Sequence, residues 1–272
     1  MNTFKKIITG SELVIAGHGR SGSKESTIII KGHAEAIEDR NLFKKVRHGF
    51  LKVKPFLTEQ LMATKSNSVF IVPCFASPGS LTKLVIPEKL GLSGPKTNKK
   101  NKIIFYTEPV GNHPKILNRI CELVKNTLLI SNLPKKDTTL IIVGHGSSQN
   151  PQSEADTRFI ARKVYSLNPS SKVITLFFDQ TPNLADWSIY CKTTHAIILS
   201  YLFSGGSHEI NDIPKLMGFD PISAEIRFTN KQPMGPISVD NKKLWLCPLI
   251  SADQIIQEVI LDRVLEMTKL NG

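Results

Sequence analysis

One register organises the chain. The triplet Gly-His-Gly occurs at residues 17–19 and again at 144–146, inside "LVIAGHGRSG" (13–22) and "LIIVGHGSSQ" (140–149). With 17 glycines and 7 histidines in 272 residues, about 0.03 such triplets are expected by chance. The offset of 127 also brings Pro55 onto Pro182, Gly79 onto Gly206 and Pro87 onto Pro214. These landmarks lie in paired segments: "FLKVKPFLTEQL" (50–61) with "FFDQTPNLADWS" (177–188), and "FIVPCFASPGSLTKLVIPEKLG" (70–91) with "IILSYLFSGGSHEINDIPKLMG" (197–218). A last pairing, "EPVGNHP" (108–114) with "KQPMGPI" (231–237), takes a shortened offset of 124. Landmarks that recur at one register mean two copies of one unit, and hence two similar lobes. The division falls at 1–132 and 133–272, with the polar "SNLPKKDT" (131–138) as the link.

Each copy reads strand, turn, helix, strand, helix. "ELVIAG" and "TTLIIVG" are short runs rich in Val and Ile, the composition of parallel strands covered on both faces. "SKVITLFF" (171–178) and "THAIILSYLF" (194–203) are further strands. "SEADTRFIARKVYSL" (153–167) has helical spacing and an acidic first turn. Amphipathic helices close the copies at 113–130 and 252–270. The expected fold is therefore α/β: two similar lobes, each a parallel sheet flanked by helices, with a cleft between them. Ligands of open α/β sheets bind outside the carboxyl ends of the strands, where both Gly-His-Gly turns fall.

Composition narrows the classes of function. Hydrophobic residues make up 40% of the chain and charged residues 21%, a soluble globular profile. No apolar stretch reaches the roughly 18 residues of a membrane span, and no signal-peptide pattern opens the chain. Cys74, Cys121, Cys191 and Cys247 form no C-x-x-C pair and read as reduced, buried thiols, so a cytoplasmic location is expected. The net charge of +12 favours anionic small-molecule partners. Its densest cluster, "GPKTNKKNK" (94–102), reads as a solvated loop. No aromatic-basic platform or recognised module supports a nucleic-acid partner. Neither glycine turn matches G-x-G-x-x-G or a Walker lysine pattern, and "GHGSS" lacks the G-x-S-x-G elbow of a hydrolase.

The chemistry then rests on histidines. His145 stands between glycines at a strand end, and His208 follows a later strand in "FSGGSHEINDIP", so the two imidazoles converge at one sheet edge. Imidazole suits divalent Fe, Co, Ni or Zn. Asp179, ending the "LFFD" strand, is the carboxylate that accompanies them. The first copy keeps His18 but has Leu81 at the position of His208 and Lys52 at that of Asp179. The metal chemistry is accordingly expected in the second copy, and substrate cradling in the first. His33 and His48 read as surface residues, His195 as a loop residue, and His113 as a residue at a helix start. A metal-dependent enzyme acting on a small molecule, or a carrier of the metal, are the uses open to such a site.

"LIIVGHGSS", "FFDQTPNL" and "AIILSYLFSGGSHEINDIP" together resemble the class II tetrapyrrole chelatases, which include the sirohydrochlorin cobalto- and ferrochelatases. The resemblance implies a metal chelatase that inserts Fe²⁺ or Co²⁺, with Ni²⁺ or Zn²⁺ as alternatives, into a polycarboxylate tetrapyrrole. It implies that His145 and His208 bind the metal and accept the pyrrole protons, with Asp179 as a proton relay. His18, Gly146, Ser147, Ser204, Gly205 and Gly206 are the expected substrate contacts. With two copies in one chain, a monomer or a homodimer is expected.

Overall fold

The computed structural model describes residues 8–20, 25–146, 151–167, 170, 172–203, 208–219 and 231–270. The first copy contributes β1 (Glu12–Gly17), α1 (Glu25–Glu38), β2 (Lys45–Phe50), α2 (Leu57–Met62) and β3 (Ser68–Pro73). A π-helical turn (Leu81–Val85) leads into α3 (Ile86–Leu90), then β4 (Lys96–Lys99), β5 (Lys102–Tyr106) and α4 (Pro114–Ile130). The second copy repeats the plan: β6 (Thr138–Gly144), α5 (Pro151–Ser166), β7 (Lys172–Phe177), α6 (Trp187–Tyr190) and β8 (His195–Ser200). Its π-helical turn (His208–Asp212) precedes α7 (Ile213–Leu216), β9 (Met234–Val239), β10 (Lys242–Leu246) and α8 (Ile255–Leu270).

Two five-stranded sheets result, ordered β2-β1-β3-β5-β4 and β7-β6-β8-β10-β9. Four strands of each are parallel, and β4 and β9 run antiparallel at one edge. Every residue of β1 and β6 is buried, as expected for central parallel strands covered on both faces. The lysine-rich segment read as a solvated loop supplies β4, which pairs Lys96 with Phe105 and Lys99 with Lys102. Lysines suit it because an edge strand exposes its flank to water.

The registers correct one sequence pairing. Ser68 of β3 pairs with Ile103 of β5, and His195 of β8 pairs with Lys243 of β10. The offset therefore grows from 127 before this point to 140 after it. "EPVGNHP" corresponds to "PLISADQ" (248–254), which likewise follows the last parallel strand. "KQPMGPI" runs instead into the edge strand β9. The second copy is longer between β8 and β10, and a shared proline and glycine gave the false match.

Compactness divides the chain differently from the repeat. One unit comprises Met1–His113 and Gln254–Gly272 with the short Phe203–Gly206 segment; the other comprises Pro114–Leu202 and Ser207–Asp253. The expected boundary at 132/133 follows the duplication, whereas the closing helices are exchanged: α8 serves the first unit and α4 the second. In the first unit α8 packs on α1 and β3, burying Ile256, Val259, Ile260, Val264 and Met267. Arg263 pins it by donating from Nε and Nη2 to the Pro109 carbonyl at 3.1 and 2.9 Å, and to Asn112 Oδ1 at 2.6 Å. In the second unit α4 buries Ile116, Ile120, Cys121, Leu123, Val124 and Leu128. Arg119 holds it to Asp253, with Nη2 2.8 Å from Oδ2. Both arginines thus reach the loop that follows the last parallel strand of their unit.

Candidate active site

The second unit brings three of the predicted residues together. β6 ends at Gly144, and the chain turns through His145 and Gly146. Gly146 has φ +74°, and a Cβ there would come 2.7 Å from Gln180 Cγ and 2.9 Å from Phe177 Cβ, so only glycine suits the turn. The His145 carbonyl accepts hydrogen bonds from Phe178 N and Asp179 N, both at 3.1 Å. This staples the end of β7 to the end of β6. It leaves the His145 side chain about half exposed, with Nδ1 3.2 Å from Asp179 Oδ2 and 3.0 Å from the Gly146 carbonyl.

His208 opens the π-helical turn at the end of the neighbouring strand. Asp212, one turn on, places Oδ2 2.7 Å from His208 Nδ1. The His145 and His208 rings lie 5.4 Å apart at 89°, and the Phe178 ring lies 5.0 Å from His208. Asp212 thus lies at ion-pair distance from His208 Nδ1, while His145 Nδ1 has the Gly146 carbonyl at hydrogen-bond distance and Asp179 beside it. A proton on His145 Nδ1 leaves its Nε2 lone pair for a metal or for a second proton. The arrangement is a pair of oriented ligands. Among the described residues no set of three or more His, Cys, Asp and Glu side chains gathers as a ready metal cage.

Asp179 thus stands behind His145. The next residue, Gln180, donates to Glu154 Oε2, while Arg158 Nε donates to Glu154 Oε1 at 2.6 Å. Asp212 has the same relation to His208 and was not singled out in the sequence. Its signal was the His-x-x-x-Asp spacing, which puts the two side chains on one side of a helical turn. Phe178 and Glu209 were missed as well. Of the expected substrate contacts, Gly146 lies in the turn; Ser147, Ser204, Gly205 and Gly206 fall outside the described residues.

His18 belongs to the first unit, in a turn of the same build: Leu51 N and Lys52 N donate to its carbonyl, both at 3.1 Å. There Leu81 takes the place of His208 and packs against the apolar cluster that contains Leu51, Leu57 and Ile86. Of the remaining histidines, His113 lies at a helix start as expected, and the other three depart from their expected settings. His33 is buried on α1, and His48 is half-buried on the edge strand β2, where burial holds its imidazole below the usual range. His195 is the first residue of β8, with Nδ1 3.3 Å from Asp137 Oδ2. His113 is buried just before α4, with Nε2 3.6 Å from Glu266 Oε1 and 3.8 Å from Asp262 Oδ2. None of these four lies at the His145–His208 pair.

Comparison with known families matches the CbiX model twice, over residues 12–127 and 139–267. The chain belongs to the CbiX family. The two matches follow the duplication seen in the sequence. The "Probable sirohydrochlorin cobaltochelatase" of Halobacterium salinarum is 26% identical over 268 residues, covering 92% of this chain and 89% of that protein. SirB from Bacillus subtilis, solved with Fe3+, shares the fold with a TM-score of 0.64 at 18% identity, covering 94% of this chain and 95% of that one. DR2241 from Deinococcus radiodurans, a multi-domain protein with structural similarity to chelatases, superposes with a TM-score of 0.65 at 21% identity. That match covers 93% of this CbiX family chain, which spans 54% of the Deinococcus protein. No helix among the described residues is long and apolar enough to cross a membrane.

Proposed function

We propose that this CbiX family chain is a metal chelatase that inserts Fe²⁺ or Co²⁺ into a polycarboxylate tetrapyrrole such as sirohydrochlorin, using His145 and His208. The observation that carries the reading is the pair of rings 5.4 Å apart, each with a carboxylate at Nδ1. The relative named as a sirohydrochlorin cobaltochelatase supplies the substrate class. Insertion transfers the metal from its incoming ligands to the ring nitrogens, and two pyrrole N–H protons must leave. A neutral imidazole, with a reference pKa of about 6.5, binds a divalent cation and also accepts a proton near neutral pH. Two such ligands hold a metal loosely enough to pass it on. Asp179 and Asp212 stabilise the imidazolium that forms.

The test is an anaerobic incubation of metal-free protein with sirohydrochlorin and Fe²⁺ or Co²⁺, followed by absorption spectroscopy. Insertion faster than the uncatalysed rate is expected. A spectral shift without turnover would identify a carrier instead. Silence with tetrapyrroles alongside histidine-dependent metal binding would point to other small-molecule chemistry on the same site. Replacing either backing carboxylate, Asp179→Ala or Asp212→Ala, is expected to lower Co²⁺ affinity about 10–100-fold, read by titration calorimetry.

A further inference from the structure

We propose that Glu209 is the positioning residue that holds His208 opposite His145, an inference that rests on the reading of the histidine pair as the metal-handling site. Glu209 follows His208 on the π-helical turn and is completely buried. Its Oε1 accepts a hydrogen bond from Ser200 Oγ at 3.1 Å and another from Ser251 Oγ at 3.1 Å. Ser200 is the last residue of β8, and Ser251 lies in the 3-10 turn Ile250–Ala252 that follows β10. One carboxylate oxygen therefore ties the histidine-bearing turn to two strand ends. A buried carboxylate is costly unless hydrogen-bonded, so these hydroxyls are integral to its presence.

The duplication supplies an internal control. At the registers set by the sheets, Ser200, Glu209 and Ser251 correspond to Pro73, Thr82 and Gly111 of the first unit. Not one member of the set survives there. A serine would not fit at Gly111, where a Cβ would come 2.1 Å from the Ala76 carbonyl oxygen. The first unit's π-helical turn is anchored by another device: Tyr106 Oη donates to the Thr82 carbonyl at 2.7 Å. Holding a turn of this shape thus needs no buried acid. The three-residue set occurs in the copy whose turn carries an imidazole. Glu209 acts through His208, whose ring it keeps between Phe178 and Asp212.

The experiment compares full-length wild type with Glu209→Ala, Glu209→Gln and the double variant Ser200→Ala/Ser251→Ala. Co²⁺ titration reads the metal site. Long-range ¹H–¹⁵N spectra of the histidine rings, taken on metal-free protein, read the state of His208, with His113 and His195 as internal references. Glu209→Ala is expected to weaken Co²⁺ binding roughly tenfold, within the usual range for a residue supporting a metal ligand, and to shift or broaden the His208 signals. Glu209→Gln is expected to restore most of both, because its amide oxygen accepts the same two hydroxyls. Wild-type Co²⁺ affinity with unmoved His208 signals in Glu209→Ala would overturn the proposal. So would a Glu209→Gln protein that behaves like the alanine variant, since charge rather than positioning would then be the cause. If Glu209→Ala does not fold, the serine double variant decides by the same readings. If the wild type binds no Co²⁺, the metal reading fails, while the His208 spectra still decide the positioning role.

Discussion

His208→Ala and His145→Ala are each expected to slow metal insertion by about 10²–10⁴-fold, the range for losing a positioned acid–base group, while His18→Ala changes it little. His18 and His145 share one type of turn, so the contrast between them depends on what surrounds each ring. His145 has a second imidazole 5.4 Å away and Asp179 at Nδ1. In the first unit Leu81 and Lys52 stand at the corresponding places and supply neither ligand nor counter-charge. Steady-state insertion kinetics with each variant check the prediction. Equal losses in all three would show that the chemistry is shared between the copies.

Ending the chain after Asp253 is expected to unfold the first unit, although the deletion lies in the second copy of the sequence. The removed helix α8 buries Ile256, Val259, Ile260, Val264 and Met267 in the first unit. At about 1.5–3 kcal/mol for each large apolar side chain, the loss is on the order of 10 kcal/mol. That equals the whole stability of a typical domain, about 5–15 kcal/mol. The truncation also strips the Pro109 carbonyl and Asn112 of their Arg263 donors. Trp187 and Trp245 both lie buried in the second unit, so tryptophan emission reports that unit alone. The expected result is a large loss of far-UV circular dichroism and protease resistance in residues 8–113, with the tryptophan emission maximum still blue-shifted. A red-shifted tryptophan signal over an intact first unit would assign α8 to its own copy.

The central strands and the position of the histidine turns were legible because burial writes itself into composition. Central parallel strands are uninterrupted Val/Ile runs, and glycines fall where strands end. The partner of each closing helix was not legible. An amphipathic stripe says that α4 and α8 need an apolar sheet face, and two equivalent faces were on offer. β4 was read as a loop because three of its four residues are exposed and only Thr97 turns inward. Asp212 was legible in principle from its spacing to His208. Glu209 was not, since an acid in a polar-looking segment is normally solvated, and its burial depends on a serine 42 residues further along.

The leucine that fills the first unit's vacant histidine position sets a stoichiometry. Leu81 seals that turn with hydrocarbon packed on its neighbours, so the duplicated scaffold is asymmetric where it matters chemically. A saturation titration is therefore expected to count one metal per chain rather than two. The two units would then share one architecture and differ in what their turns can bind, one offering an imidazole pair and the other hydrocarbon.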